Sequence, residues 1–397
     1  MRILYIASAI EAGGTSGGWT HVTEVACGLA ALGHDVRVIA RGAPSGTPTP
    51  CLGCGVMLKS VRLPQYAAVA ALPLLMREFS RFRPDVVIER YYNFAGAGVL
   101  AAHRRGVPVL LELNAPMVDP PRSLKARVDT LLLGSLRSWA VRQARWSAAI
   151  VTPLASTIPP EIARHKIHEL PWGANVERFD PARRVREQAR LADLAASLGL
   201  EPNVPVAVFL GSFRAWHGAA GFVQAARRLL ATGANVAFLT IGSGPELAEL
   251  RAQVSVSGVP HGRFVFAGAR PHDTIPDFLA LADIGVAPFD LSAHPPLTKF
   301  GFYWSPLKIF EYMAMALPVI TVNVPPLNEI VRDGKEGLLY ESGNIAGLTT
   351  ALETLASQAP LRRTLGESAR LRVIERYSWQ AHCRALDKIL HEISNAS

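Results

Sequence analysis

The feature that most restricts this 397-residue sequence is an alternation, run twice, of short continuous apolar segments with stretches of helical periodicity. Ile3–Ala7 is apolar throughout, as a parallel strand covered on both faces requires. A glycine-rich stretch, Gly13 to Gly18, follows and reads as a loop. Val22, Val25, Ala26, Leu29, Ala30 and Leu32 then recur at helical spacing. Gly33 stops that helix and Val36–Ala40 forms the next strand, which completes a βαβ unit with an expected right-handed crossover. Further strands are expected at Asp85–Glu89, Val107–Leu113 and Ala149–Pro153, with helices over Ala95–His103 and along the whole of Leu124–Trp146. Pro171, Gly173 and Pro181 break the pattern, and a charged helix from about Arg183 to Leu198 reads as an interdomain connection. A second series starts at Val204, with strands at Val206–Gly211, Val236–Ile241, Arg263–Ala267, Ile284–Pro288 and Val319–Val322. The fold class is therefore α/β: two doubly wound, Rossmann-like domains facing one cleft. The expected divisions are 1–175, 176–375 and a C-terminal helix, 376–397, that packs back on the first domain.

Composition narrows the class further. At 49% apolar and 18% charged residues, the chain is globular and not disordered. The net charge of +9 is uneven, since residues 1–175 hold 19 Lys and Arg against 11 Asp and Glu. That excess suits an anionic acceptor or an anionic lipid surface, or is a solvated arginine-rich face. Arg122, Lys125, Arg127, Arg137, Arg142 and Arg145 share one segment with Trp139 and Trp146, which fits either an interfacial helix or a packed helix with a charged outer face. No apolar run reaches the roughly 18–20 residues that span a bilayer. Cys51 and Cys54 form half of a redox or zinc pattern, but no second pair or His pair completes it. The pair is expected to be an ordinary loop with reduced thiols, in keeping with a cytoplasmic location.

Ligands of doubly wound sheets sit beyond the carboxyl ends of the strands, so the chemistry belongs in those loops. Gly14, Gly17 and Gly18 let backbone amides approach an anion beside a helix N-terminus, although the spacing fits neither a P-loop nor a dinucleotide fingerprint. The segment Gly211–Gly218 sets Arg214 and His217 between a strand and a helix, where cation and dipole both suit a diphosphate. In Trp304–Pro318, Ser305 suits an N-cap and Pro306 the first helical position. Leu307, Phe310 and Met313 are the expected buried stripe. Lys308 falls in the first turn, and Glu311 one turn on has the two acceptors a ribose diol needs. The opposing reading makes Lys308 and Glu311 solvated surface charges.

These segments together resemble a family 4 retaining glycosyltransferase of GT-B fold, in the branch with a Ser-Pro-Leu-Lys-x-Phe-Glu-Tyr-Met-Ala motif. The likeness rests on Gly13-Gly14 and Gly17-Gly18 with His21, on Lys166–Phe179, on Gly211 with His217-Gly218, and on Ile241–Glu246. It continues through Ala282–Pro288, Phe310–Ala314, Pro318–Ile320, Asn328–Val331 and Asp333-Gly334. The resemblance implies a nucleotide diphosphate sugar as donor, a glycan or lipid-linked acceptor, and no metal or other cofactor; no Asp-x-Asp motif is present. It assigns the leaving diphosphate to Arg214, His217 and Lys308. The rest of the donor falls to Gly14, Gly17, Gly18, Gly242, Gly244, Arg270, Leu307 and Glu311. Sugar or acceptor contacts fall to His21, Glu112, Asn114 and Tyr303.

Tyr303 stands where many relatives have a first glutamate, Asn114 where many have a histidine, and His217 where many have a lysine, so that His217 is expected to be partly charged near neutrality. The expected role is glycan, polysaccharide or glycolipid synthesis in the cytoplasm, with possible contact to anionic membrane and none to nucleic acid. The alternatives are a GT-B-type sugar-nucleotide epimerase and a non-catalytic nucleotide-sugar-binding protein. A dinucleotide oxidoreductase is disfavoured, because Ala40-Arg41 ends the second strand where an acidic residue is needed.

Overall fold

The structure, a computed structural model, describes residues 1–14, 17–42, 52–92, 95–117, 124–131, 134–256 and 258–396. The chain divides into two compact units. The first comprises Met1–Trp172, Tyr303–Ser305 and Trp379–Ser397; the second comprises Gly173–Phe302 and Pro306–Ser378.

In the first unit the strands are β1 (Arg2–Glu11), β2 (Asp35–Arg41), β3 (Met57–Val61), β4 (Val86–Arg90), β5 (Val109–Glu112), β6 (Ala149–Thr152) and β7 (Ile167–Glu169). They form one parallel sheet in the order β3-β2-β1-β4-β5-β6-β7. The direction of winding reverses between β1 and β4, which opens a crevice at their carboxyl ends. Leu4, Ile6, Ile39, Val87, Leu111 and Ile150 make one side of the core, closed by Leu75, Phe79 and Phe82 from the helix Leu72–Phe82. The terminal helix Trp379–Asn395 belongs to this unit and packs Cys383 against Gly28 of the helix Gly17–Ala31.

The second unit has β8 (Val206–Leu210), β9 (Ala237–Ile241), β10 (Phe264–Gly268), β11 (Ile284–Ala287), β12 (Val319–Val322) and β13 (Gly337–Tyr340). They too are all parallel, in the order β10-β9-β8-β11-β12-β13, with the reversal between β8 and β11. Its core is aromatic on one face: Phe222 meets Phe238 at 5.5 Å and Phe209 at 5.9 Å between ring centres.

Several expectations need correction. Leu124–Trp146 is two helices, Leu124–Leu131 and Ser135–Trp146, the second opening at Gly134 with φ of 76°. Arg183–Leu198 is likewise a short turn, Arg183–Arg186, and a helix, Gln188–Ser197. Gly17 and Gly18 stand in the first turn of a helix and not in the loop. Cys27 and Cys54 are disulfide-bonded, with Cα atoms 5.6 Å apart, inside the range a disulfide spans. Cys51 lies outside the described residues, and Cys383 is a buried free thiol.

Candidate functional site

The second unit gathers its chemistry at the β8–β11 reversal. Helix Leu307–Ala314 leads into β12 and is buried on nearly every side, from Lys308 through Ala314. The expected narrow stripe is therefore too narrow: Phe310 and Met313 are fully buried, whereas Leu307 is only partly so. Two contacts lock the helix in place. The Tyr312 hydroxyl accepts from Leu210 N at 2.7 Å, which ties the helix to the end of β8. At its C-terminus, Arg370 donates to Ala314 O at 2.6 Å and also to Phe179 O and Val176 O, tying the last helical carbonyl to the segment that precedes Pro181. Ser305 does not cap this helix. Pro306 takes the cap position without a side-chain bond, and Ser305 Oγ accepts from Trp172 N within the first unit at 2.9 Å.

Lys308, in the first turn, is 8% exposed, so the solvated-charge reading fails for it, as it does for buried Glu311. Its Nζ lies 4.6 Å from the centre of the Phe209 ring, 4.9 Å from that of Phe289, and donates to His217 Nδ1 at 3.1 Å. Among the described residues no carboxylate reaches ion-pair distance of Nζ. Burial brings the Lys308 ammonium down to about 7, opposed by Glu311. His217 is held lower still, at about 2, by burial, then Lys308, then Arg214. It is therefore a neutral imidazole and not the partly charged group expected. With Nδ1 accepting from Lys308, Nε2 carries the proton and is left as a donor.

The surrounding loops demand glycine. A Cβ on Gly211, at φ 147°, would stand 2.7 Å from Lys308 Nζ and 2.9 Å from His217 Nδ1. One on Gly218 would meet Pro288 O at 1.6 Å, and one on Gly242 would meet Gly211 O at 1.9 Å. The Gly244 position is closed by the Phe213 backbone, whose amide donates to Ser243 O at 2.9 Å. The loops after β8 and β9 thus cross at backbone contact, and Gly211 sets bare backbone against the lysine opposite His217. Arg214 and Arg270 are both exposed, and Arg270 lies over Phe278. Glu311 meets a residue the pattern did not single out: His272 Nε2 donates to Oε1 at 2.9 Å. His272 falls in the loop after β10, so only its place beyond a strand end hinted at a role.

The first unit holds a second buried polar cluster at the carboxyl ends of β1, β4 and β5. Glu112 accepts from Arg90 Nη1 at 2.7 Å, from the Tyr5 hydroxyl at 2.6 Å and from Asn114 Nδ2 at 2.7 Å. Arg90 Nη1 also donates to His21 Nδ1 at 2.9 Å, and Trp172 Nε1 donates to Asn114 Oδ1 at 2.7 Å. His21 is fully buried against Trp172, 4.4 Å between rings, and burial, Arg90 and His382 hold it neutral. Both ends of the Asn114 amide are thereby engaged by protein. Arg90, Tyr5 and Trp172 were not singled out in the sequence, although a charged Glu89-Arg90 pair ending an apolar strand is the kind of signal that marks such a cluster. Tyr303 is buried beside Trp304. Gly14 donates weakly to Glu11 O at 3.4 Å. The expected donor-loop glycines are thus in the first unit, and Arg214, His217, Lys308, Gly242, Gly244, Arg270, Leu307 and Glu311 are in the second.

Comparison with known proteins agrees with this division. The family model described as "Glycosyl transferase 4-like domain" matches residues 16–158, and that described as "Glycosyl transferases group 1" matches residues 204–358. An alpha-D-kanosaminyltransferase from Streptomyces kanamyceticus is 25% identical over 340 residues, 82% of this chain and 83% of that protein. A glycosyltransferase structure from Rickettsia africae superposes with a TM-score of 0.76 at 19% identity, covering 100% of this chain and 99% of the other. The Anabaena HepE structure in complex with UDP superposes with a TM-score of 0.73 at 16% identity, covering 99% and 100%. With both family models placed in order along two parallel, doubly wound units, the chain is a glycosyltransferase of the GT-B, family 4 type.

Proposed function

We propose that the chain moves a sugar from a nucleotide diphosphate sugar to an acceptor hydroxyl, with retention at the anomeric carbon. One observation carries this reading: Lys308 is a buried cation without a described carboxylate, placed at the carboxyl ends of β8 and β11. Burying an ammonium without a counter-charge is unfavourable, and an anion brought to that point offsets the cost. A diphosphate suits it, because Lys308 stands in the first turn of Leu307–Ala314 and the bare backbone at Gly211 lies against its Nζ. Glu311, oriented through Oε1 by His272, then grips the ribose one turn further on. The UDP bound by the Anabaena protein supports a nucleoside diphosphate as the shared chemistry.

In this reading the bond from the anomeric carbon to the diphosphate oxygen breaks while a bond to the acceptor oxygen forms on the same face. A diphosphate oxygen takes the acceptor proton. Lys308, Arg214 and the Nε2–H of neutral His217 stabilise the departing charge, so no metal is required there. The first unit serves the acceptor, with Tyr303, Glu112 and Asn114 supporting its floor and Gly14, Gly17 and Gly18 offering backbone amides at the start of helix Gly17–Ala31. Arg137, Arg142, Arg145 and Trp146 line a cavity of about 510 Å³ with Glu161, which suits an anionic acceptor or cytoplasmic membrane surface. Arg122 and the Lys125 side chain lie outside the described residues. Liposome co-sedimentation with anionic lipid checks the membrane part.

The donor assignment is tested by thermal shift against UDP, GDP, ADP, TDP and their sugars, followed by assay of transfer. Stabilisation by one nucleotide in the native chain, lost in Lys308→Ala and Glu311→Ala, is expected. Unchanged donor affinity and turnover in both variants would defeat the assignment, and a changed nucleotide sugar formed without acceptor would establish an epimerase.

A further inference from the structure

A third group of side chains stands apart from both clusters. His34 precedes β2, at the amino end of the first sheet, whereas the clusters above lie at carboxyl ends. Its backbone is fixed by the turn that closes helix Gly17–Ala31: Gly33 takes φ of 90°, and His34 N donates to Leu29 O at 3.3 Å. Asp387 and His391 lie four residues apart on the terminal helix, hence on one face one turn apart. His34 Nε2 is 2.8 Å from Asp387 Oδ1, and His391 Nε2 is 3.3 Å from the same oxygen. One ligand atom from each of the three residues lies within 4.8 Å of the others. A tetrahedral ion with bonds of about 2.0–2.1 Å places its ligands roughly 3.4 Å apart, so these atoms need only small side-chain movements to share one.

We propose that His34, Asp387 and His391 form a binding site for a divalent transition metal of the zinc type. Two imidazoles and one carboxylate suit Zn²⁺ or Co²⁺ better than Mg²⁺ or Ca²⁺, which favour all-oxygen shells. Water completes the coordination, since His391 is exposed. The ion clamps the terminal helix to the start of the first sheet, joining residues 353 positions apart in sequence. It takes no part in sugar transfer, and the proposal stands independently of the donor reading.

The test uses full-length, untagged protein treated with chelator and dialysed. Zn²⁺ titration by calorimetry should show one site per chain, and Co²⁺ should give the visible absorption of a low-symmetry nitrogen and oxygen site. His391→Ala and Asp387→Asn should weaken Zn²⁺ binding by more than about tenfold, the loss that even an outer-shell partner produces. Zn²⁺ should slow hydrogen exchange along 379–395 in the native chain and not in His391→Ala. Because His391 is exposed, that variant should fold, which circular dichroism checks. Absence of binding at about 100 μM Zn²⁺, far above the affinities of structural zinc sites, overturns the proposal, and so does equal binding in both variants.

Discussion

The two buried polar clusters of this chain are built on opposite principles. In the first unit, Glu112 receives Arg90, Tyr5 and Asn114, and Asn114 in turn receives Trp172, so each charge meets its opposite inside the protein. In the second unit, Lys308 donates to a neutral imidazole and faces two aromatic rings, with no described carboxylate in reach. The first cluster pairs its charges and leaves only the uncharged His21 Nε2 without a partner, whereas the second leaves a buried lysine without a described opposite charge. On the proposed reading, that lysine is what gains from an anion.

Breaking the charge-paired cluster should give the largest effect on stability. Arg90→Met leaves the Glu112 carboxylate, only 6% exposed, without its counter-charge. Removal of one partner from a buried pair costs about 3–5 kcal/mol. Urea denaturation should show that loss in midpoint. A midpoint within experimental error of the native chain would mean that Glu112 is satisfied by its neutral donors alone.

The same substitution in the other cluster should act in the opposite sense. Lys308→Met removes a buried cation while keeping its apolar stem, so stability should hold or rise. Turnover should fall by about 10²–10³, the usual loss for one donor to a developing anion. A variant both less stable and fully active would reverse the roles assigned to the two regions.

Titration sharpens the contrast. Lys308 sits at about 7 in the folded chain, against 10.5 for a free side chain. Between these values the unfolded chain holds a proton that the folded chain has lost, so stability should rise with pH across that window. Below it both states are protonated, and the cost of the buried ammonium is fully present. Lys308→Met should flatten the rise. A bound diphosphate restores the ammonium, so binding within the window should take up a proton. Calorimetry in buffers of different ionisation enthalpy measures this, and buffer-independent heats would show that Lys308 stays uncharged beside the ligand.

How much of this was legible in sequence depended on whether a signal was local. β1, β2, β8 and β9 announce themselves as apolar runs closed by glycine, because central parallel strands are buried on both faces. β3 and β13 were not identified, and β7 only through the likeness of Lys166–Phe179 to the family; all three lie at sheet edges, and β3 buries only Val61. Lys308, Glu311 and Arg214 could be singled out because a helix start beyond a strand end is a local pattern; the fold buries the first two and leaves Arg214 exposed. His272 pairs with Glu311 across 39 positions, and no spacing rule reaches that far. Ser305 followed the capping rule in sequence and broke it in the fold, because Trp172, 133 positions earlier, takes its hydroxyl. The disulfide was hidden for the same reason: Cys51 and Cys54 form the evident pair by spacing, whereas the structure joins Cys54 to Cys27.

The smallest expected effect tests whether the first cluster extends to its rim. Trp172→Phe leaves a smaller aromatic ring at this half-buried position against His21 and removes the Nε1–H that reaches Asn114 Oδ1. Asn114 is partly exposed, so water can replace that donor, and the cost should be near the net value of one hydrogen bond, about 1 kcal/mol. Donor affinity should be unchanged, because the contact lies wholly within the first unit. If instead Asn114 positions the acceptor, the Michaelis constant for acceptor should rise while that for donor stays fixed. A change in donor affinity would show that Trp172 reports on the second unit, and the separation of a charge-paired cluster from one with an unpaired lysine would then fail.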